Sequence, residues 1–178
     1  MEELNTVGFH ANYKNECERF IDDKEYLIVS SDTDFLGRGM YFWMNYKQAI
    51  WWKNTKKKEG GDSLIVSAKV HSKNVLDVTD VDVLNKLERL YSKIRNELSK
   101  KMQVKHDYIQ LGIKLDALFH FFEKDLSVFD CVYGTAENKN RPEHAFLKGT
   151  PMTMKTEGII LVKNYKAISD RQLRSDLT

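Results

Sequence analysis

The sequence predicts an α+β domain, and three observations carry that prediction. Segments with a two-residue apolar period and segments with a three-to-four-residue period follow one another irregularly, without the regular alternation that builds a doubly wound parallel sheet. The 178 residues contain 42% hydrophobic and 11% aromatic side chains, enough to fill one core. No internal repeat and no linker-like change of composition divides the chain, so a single domain over 1–178 is expected.

Taken in order, residues 6–10 are a short, partly apolar first strand, and residues 14–22 place Cys17, Phe20 and Ile21 at helical spacing. Residues 26–29 are β-prone and lead through a polar stretch into two glycines, Gly37 and Gly39. A second strand at 40–43 follows at once, with Tyr41 and Trp43 on one face and Met40 and Phe42 on the other. A helix near 47–54 carries Ala49, Trp51 and Trp52. The lysine-rich run 53–61, closed by Gly60 and Gly61, reads as a charged surface loop. Residues 64–70 are a buried strand and 74–78 a shorter one. Asp77 and Asp80 read as turn and cap residues ahead of a long amphipathic helix, in which Leu84, Leu87, Tyr91, Ile94 and Leu98 form one apolar face reaching to about residue 106. An apolar helix at 111–122, a strand at 128–133, an irregular segment at 135–156 holding Pro142 and Pro151, a strand at 158–162 and a polar tail complete the reading.

Composition excludes several classes. A net charge of +2 is too small to argue for nucleic acid by itself, so basic character has to be local, as in Lys53, Lys56, Lys57 and Lys58 or in Lys100, Lys101 and Lys105. Convergence of those two groups beside Trp51 or Trp52 would suit single-stranded nucleic acid. Cys17 and Cys131 are too few for a disulfide framework and are expected as free thiols in a reducing compartment. The first residues lack a basic segment leading into an apolar one, and no run approaches membrane-spanning length, so a cytoplasmic protein is expected. His10, His71, His106, His120 and His144 show no metal-ligand spacing.

The most informative residues are Gly8-Phe9-His10 and, further on, Leu36-Gly37-Arg38-Gly39-Met40-Tyr41-Phe42-Trp43, followed by Ala49 and Trp52. Two glycines one residue apart imply close backbone approach to something flat or bulky, and without a further G-x-x-G they are not a Rossmann loop. The whole pattern resembles the N-terminal half of the ADP-ribosyltransferase superfamily, and in particular its small intracellular bacterial members. The resemblance follows element order along most of the chain, while its specific motifs are concentrated in residues 8–52.

The resemblance implies a split β-sandwich of two small antiparallel or mixed sheets with flanking helices, and NAD as substrate in the cleft between them. It implies that His10 meets a ribose hydroxyl, that backbone at Ala11, where the family often carries glycine, pairs with the nicotinamide amide, and that Tyr41 stacks on nicotinamide. A carboxylate on a later strand is expected to stabilise the oxocarbenium-like centre as nicotinamide leaves. Glu157, opening the last strand, is the first choice, with Glu143 and Glu137 as alternatives. Gly37, Gly39, Arg38 and Ser31 are expected near the cofactor; Arg38 is open between a phosphate ligand and a side chain facing water, and Ser30 and Ser31 share that ambiguity.

The function so implied is mono-ADP-ribosyl transfer to a macromolecular acceptor, RNA or DNA slightly before protein. It also implies a toxin of a toxin–antitoxin or phage-defence system, with a neutralising antitoxin as partner. Two other readings stand beside it: a catalytically inactive binding module of the same fold, and an NAD-dependent RNA 2′-phosphotransferase, for which the motif has few arginines.

Overall fold

The computed structural model describes residues 3–30, 33, 35–103, 105, 108–137, 145 and 155–174. Its centre is one seven-stranded mixed sheet in the order β4-β5-β6-β2-β1-β3-β7. The strands are β1 (Leu4–Tyr13), β2 (Met40–Trp43), β3 (Ser63–Ser72), β4 (Val75–Asp77), β5 (Cys131–Glu137), β6 (Thr156–Val162) and β7 (Ile168–Arg174). The helices are α1 (Lys14–Asp22), α2 (Tyr46–Lys58), α3 (Val81–Met102), α4 (Leu111–Phe121) and the single turn α5 (Glu123–Leu126). All described pairings are antiparallel except β4 with β5. No described helix is long and apolar enough to cross a membrane.

The α+β class is observed. Where the resemblance implies two small sheets, hydrogen bonding instead runs through one sheet, but its middle is narrow. β1 follows β3 from Leu4↔Ser72 to Tyr13↔Ser63, and β2 follows β6 from Met40↔Val162 to Trp43↔Ile159, while β1 and β2 share only the pair Phe9↔Trp43. Past that pair the two strands separate.

The pleat of β2 sorts its side chains as the period-two reading requires. Tyr41 and Trp43 join Leu36, Ile159, Leu161 and the apolar faces of α3 and α4, and Met40 and Phe42 join Cys17, Phe20, Val66 and Val70 on the opposite face. All four β2 residues are buried, as expected of a strand covered on both sides. Ala49 of α2 packs with Ala11 and Ile65, which seats α2 over β1 and β3.

Four segments differ from the sequence reading. The lysine run is helical as far as Lys58, because lysine is a good helix former and nothing before Gly60, at φ 92°, interrupts the turn. Residues 26–29 form no strand; only Ser30 bridges to Gly39, through bonds of 2.8 and 3.1 Å. The polar tail contains β7, an edge strand. Its Arg171 donates to the carbonyl oxygens of Phe20, Asp23 and Tyr26 at 2.9, 2.7 and 3.0 Å and lies over the Phe20 ring, closing the open end of α1. The two lysine groups sit over different parts of one face of the sheet, since α2 packs on β1 and β3 while α3 packs on α4 above Tyr41 and Trp43. Asp80 caps α3 as its position implies, accepting from the amides of Asp82 and Val83.

Candidate functional site

The strand separation opens an aromatic slot of about 110 Å³, lined by His10, Ala11, Asn12, Ser30, Phe35, Tyr41, Trp43, Trp52 and Lys56. Ladder geometry explains its position. Where β1 leaves β2, the His10 imidazole spans the gap in place of a backbone bond, with Nδ1 2.7 Å from the carbonyl oxygen of Tyr41. A carbonyl only accepts, so Nδ1 carries the proton and Nε2 presents its lone pair, facing Asn12 Nδ2 at 3.3 Å. Burial pushes the His10 pKa down to about 4, outweighing the bond to Tyr41, which acts in the opposite direction. At neutral pH the slot therefore holds an uncharged imidazole with a fixed tautomer.

The phenol of Tyr41 accepts the Leu36 amide at 3.0 Å and donates to the Gly37 carbonyl at 2.6 Å, so it ties down the 36–39 turn and leaves its ring as slot wall. Phe35 stands edge-on to Trp43 and also to Tyr41, and Trp43 stacks on Trp52 with ring centroids 6.3 Å apart. The Trp52 indole N–H is buried with no acceptor among the described residues. A buried donor of this kind in the wall of a slot is a group that a ligand can satisfy.

The expected residues are distributed unevenly. His10, Ala11 and Tyr41 come together. Ser31 and Glu143 lie outside the described residues, while Ser30 lines the slot. Gly37, Arg38 and Gly39 do not line it, and their surroundings explain the glycines differently. Gly37 adopts φ 88°, and a Cβ there would stand 2.5 Å from Asp116 Oδ1. At Gly39 it would stand 2.7 Å from Leu161 Cδ1 and 2.8 Å from the Val162 carbonyl. The bulky neighbours that require glycine are α4 and β6. Arg38 faces a separate, open hollow of about 630 Å³ with Asp116, Phe119, His120, Glu123, Phe129 and Lys163.

Glu157 is buried on the sheet face that also carries Tyr41 and Trp43, one same-face position beyond Ile159, the pairing partner of Trp43. It does not line the slot. Asn45 connects it to α2: the Asn45 side chain caps the helix by accepting the Lys47 amide at 3.0 Å and reaches Glu157 Oε1 at 3.5 Å. Glu137 is exposed at the end of β5, in a hollow of about 540 Å³ that shares Phe35 as a wall with the slot.

Sequence reasoning did not assign Asn12, Phe35, Trp43, Trp52 and Lys56 to the site. The signal for most of them was present. Trp43 has the strand parity of Tyr41, and Ala49, Trp52 and Lys56 repeat at helical spacing on the inward side of α2. Phe35 lies in irregular chain, where no period reports direction. Cys17 and Cys131 are buried free thiols, with burial pushing their pKa up to about 11 and about 12, so both stay protonated. No family model matches the chain, and neither a curated protein nor a solved structure does.

Proposed function

We propose that the protein is an NAD-dependent mono-ADP-ribosyltransferase, with the nicotinamide ring of NAD seated in the aromatic slot. The observation that carries this reading is the buried, neutral His10 at the strand separation, in a slot walled by the rings of Tyr41 and Trp43. A cationic flat ring is favoured against such faces, and a ribose hydroxyl can donate to Nε2 by displacing Asn12 Nδ2. A volume of about 110 Å³ suits one ring, well below the ~300 Å³ at which pockets for larger ligands begin. The ribose and phosphates then lie at the mouth, where Lys56 supplies positive charge.

In this reading the bond between the ribose anomeric carbon and the nicotinamide nitrogen breaks, its electron pair neutralising the departing ring. A nucleophile on a macromolecular acceptor forms the new bond to that carbon and gives up its proton. Glu157 is the carboxylate on the correct face to offset the positive charge that develops between the two events. Orientation and electrostatics supply most of the acceleration, because the leaving group is already activated.

The test is release of free nicotinamide from NAD by the purified protein, with and without cell extract. Tyr41→Ala and His10→Ala are expected to lower release at least about 100-fold, in the range of one lost electrostatic partner. NAD left intact under all conditions overturns the reading. The position of Glu157 outside the slot favours a second reading, a nucleotide-binding module without turnover; binding of NAD to wild type with no nicotinamide release selects it. Among the described residues no arginine lines the slot, so the phosphotransferase reading gains no support from them. If the enzyme is a toxin acting in its own cell, its expression slows growth, and Tyr41→Ala relieves the effect; a co-expressed antitoxin does the same.

A further inference from the structure

We propose that the solvent face of α2 is a docking surface for single-stranded nucleic acid, which supplies the acceptor of the transfer. Its place in the reaction rests on the reading above, and its chemistry rests on α2 alone. The helix carries five lysines, Lys47, Lys53, Lys56, Lys57 and Lys58, and no acidic residue, within a chain whose net charge is only +2. The rest of the chain is therefore net acidic, and α2 stands out as a purely basic segment. Lys47, Trp51, Asn54 and Lys58 recur at i, i+4, i+7 and i+11 and are all exposed, so they form one stripe along the outer side. Lys47, Lys57 and Lys58 make no ion pair among the described residues.

Trp51 is the feature that separates this stripe from an ordinary solvated face. Its indole is 55% exposed in the middle of the cations. It is not a loose surface ring: it stands edge-on to Trp52 at 5.0 Å, and Trp52 in turn stacks on Trp43. A held flat face among lysines matches a strand that offers a base to stack and phosphates on either side. A duplex keeps its bases stacked internally, and an acidic polypeptide offers charge without a flat face. The same helix turns Trp52 and Lys56 into the slot, so α2 carries the stripe on its outer side and a slot wall on its inner side.

The experiment is fluorescence anisotropy of the whole protein with short fluorescein-labelled single strands of RNA and of DNA across a salt series, with duplex DNA and polyglutamate as competitors. The binding constant is expected to fall with salt, and Lys47→Ala and Lys58→Ala each to reduce the slope of log K against log salt by about 0.7, the value for one single-strand phosphate contact. Trp51→Ala, at an exposed position, is expected to weaken binding about tenfold at fixed salt while leaving that slope unchanged. Absence of binding at low salt overturns the proposal. So does displacement by polyglutamate together with no effect of Trp51→Ala, which would make the stripe a surface for an acidic protein. Nicotinamide release measured on the same wild-type samples keeps the two readings apart. Release without oligonucleotide binding removes the docking surface and leaves NAD cleavage standing, and binding without release does the reverse.

Discussion

The slot beside Tyr41 and the hollow beside Arg38 are both built around the 36–39 turn, yet they have opposite characters. The slot is small and aromatic, with one cation, Lys56, and a histidine kept neutral by burial. The hollow is several times larger and open, and it mixes Arg38 and Lys163 with Asp116 and Glu123. Charges in an open hollow are screened and interchangeable with water. The smaller slot fixes a tautomer, a ring orientation and an orphan donor. Chemical definition follows enclosure here rather than volume.

The turn that joins the two hollows is the first place to test this contrast. Gly37→Ala would force a side chain into φ 88° and against Asp116, whose Oδ1 accepts the Arg38 amide at 2.8 Å. Backbone strain and overpacking together predict a loss of about 4 kcal/mol in denaturant titration, with both hollows disturbed. A loss near zero would mean that the turn is not what holds them apart.

The second test is acid titration. Between pH 6.5 and about 4 the unfolded chain binds a proton at His10 that the folded chain refuses, so stability rises with pH across this window and falls as pH is lowered through it. The full effect, reached near the lower end, is about 3 kcal/mol. His10→Gln should flatten that limb of the stability curve, and an unchanged limb would place the imidazole in water.

A smaller effect is expected for Tyr41→Phe, which keeps the slot wall and removes the phenol's bonds to Leu36 and Gly37; a loss of about 1–2 kcal/mol should appear in thermal unfolding. The smallest concerns Arg38→Ala. The side chain is exposed, and stability should shift by less than about 0.5 kcal/mol. A raised KM for NAD on that substitution would join the two hollows into one site.

Most of the element order was legible because burial imposes a period. α1 and β2 lie where the spacing of Cys17 with Phe20, and of Tyr41 with Trp43, places them. β7 was not legible, because an exposed edge strand needs no apolar alternation, and Arg171 works through backbone carbonyls that leave no trace in a sequence. The lysines of α2 were misread for a related reason: solvent-facing helix and solvent-facing loop have the same polarity. In the site, the pairing of His10 with Tyr41 was readable, while the role of Gly37 and Gly39 depended on α4 and β6, which are distant in sequence. Phe35 could be placed only in three dimensions.

The single pair Phe9↔Trp43 divides the sheet into two plates joined at one ladder step. One plate is held by the long ladder of β1 with β3, the other by β2 with β6 and β5. What fixes their mutual angle is side-chain packing across the joint, with Met40 and Phe42 of one against Val66 and Val70 of the other and His10 bonded to the Tyr41 carbonyl. A molecule gripped by His10 on one plate and by Tyr41 and Trp43 on the other acts as a clamp across that joint. Amide exchange at Phe9 and Trp43 is thus the internal gauge of occupancy, slowing when the slot is filled while the far ends of β3 and β5 keep their own rates.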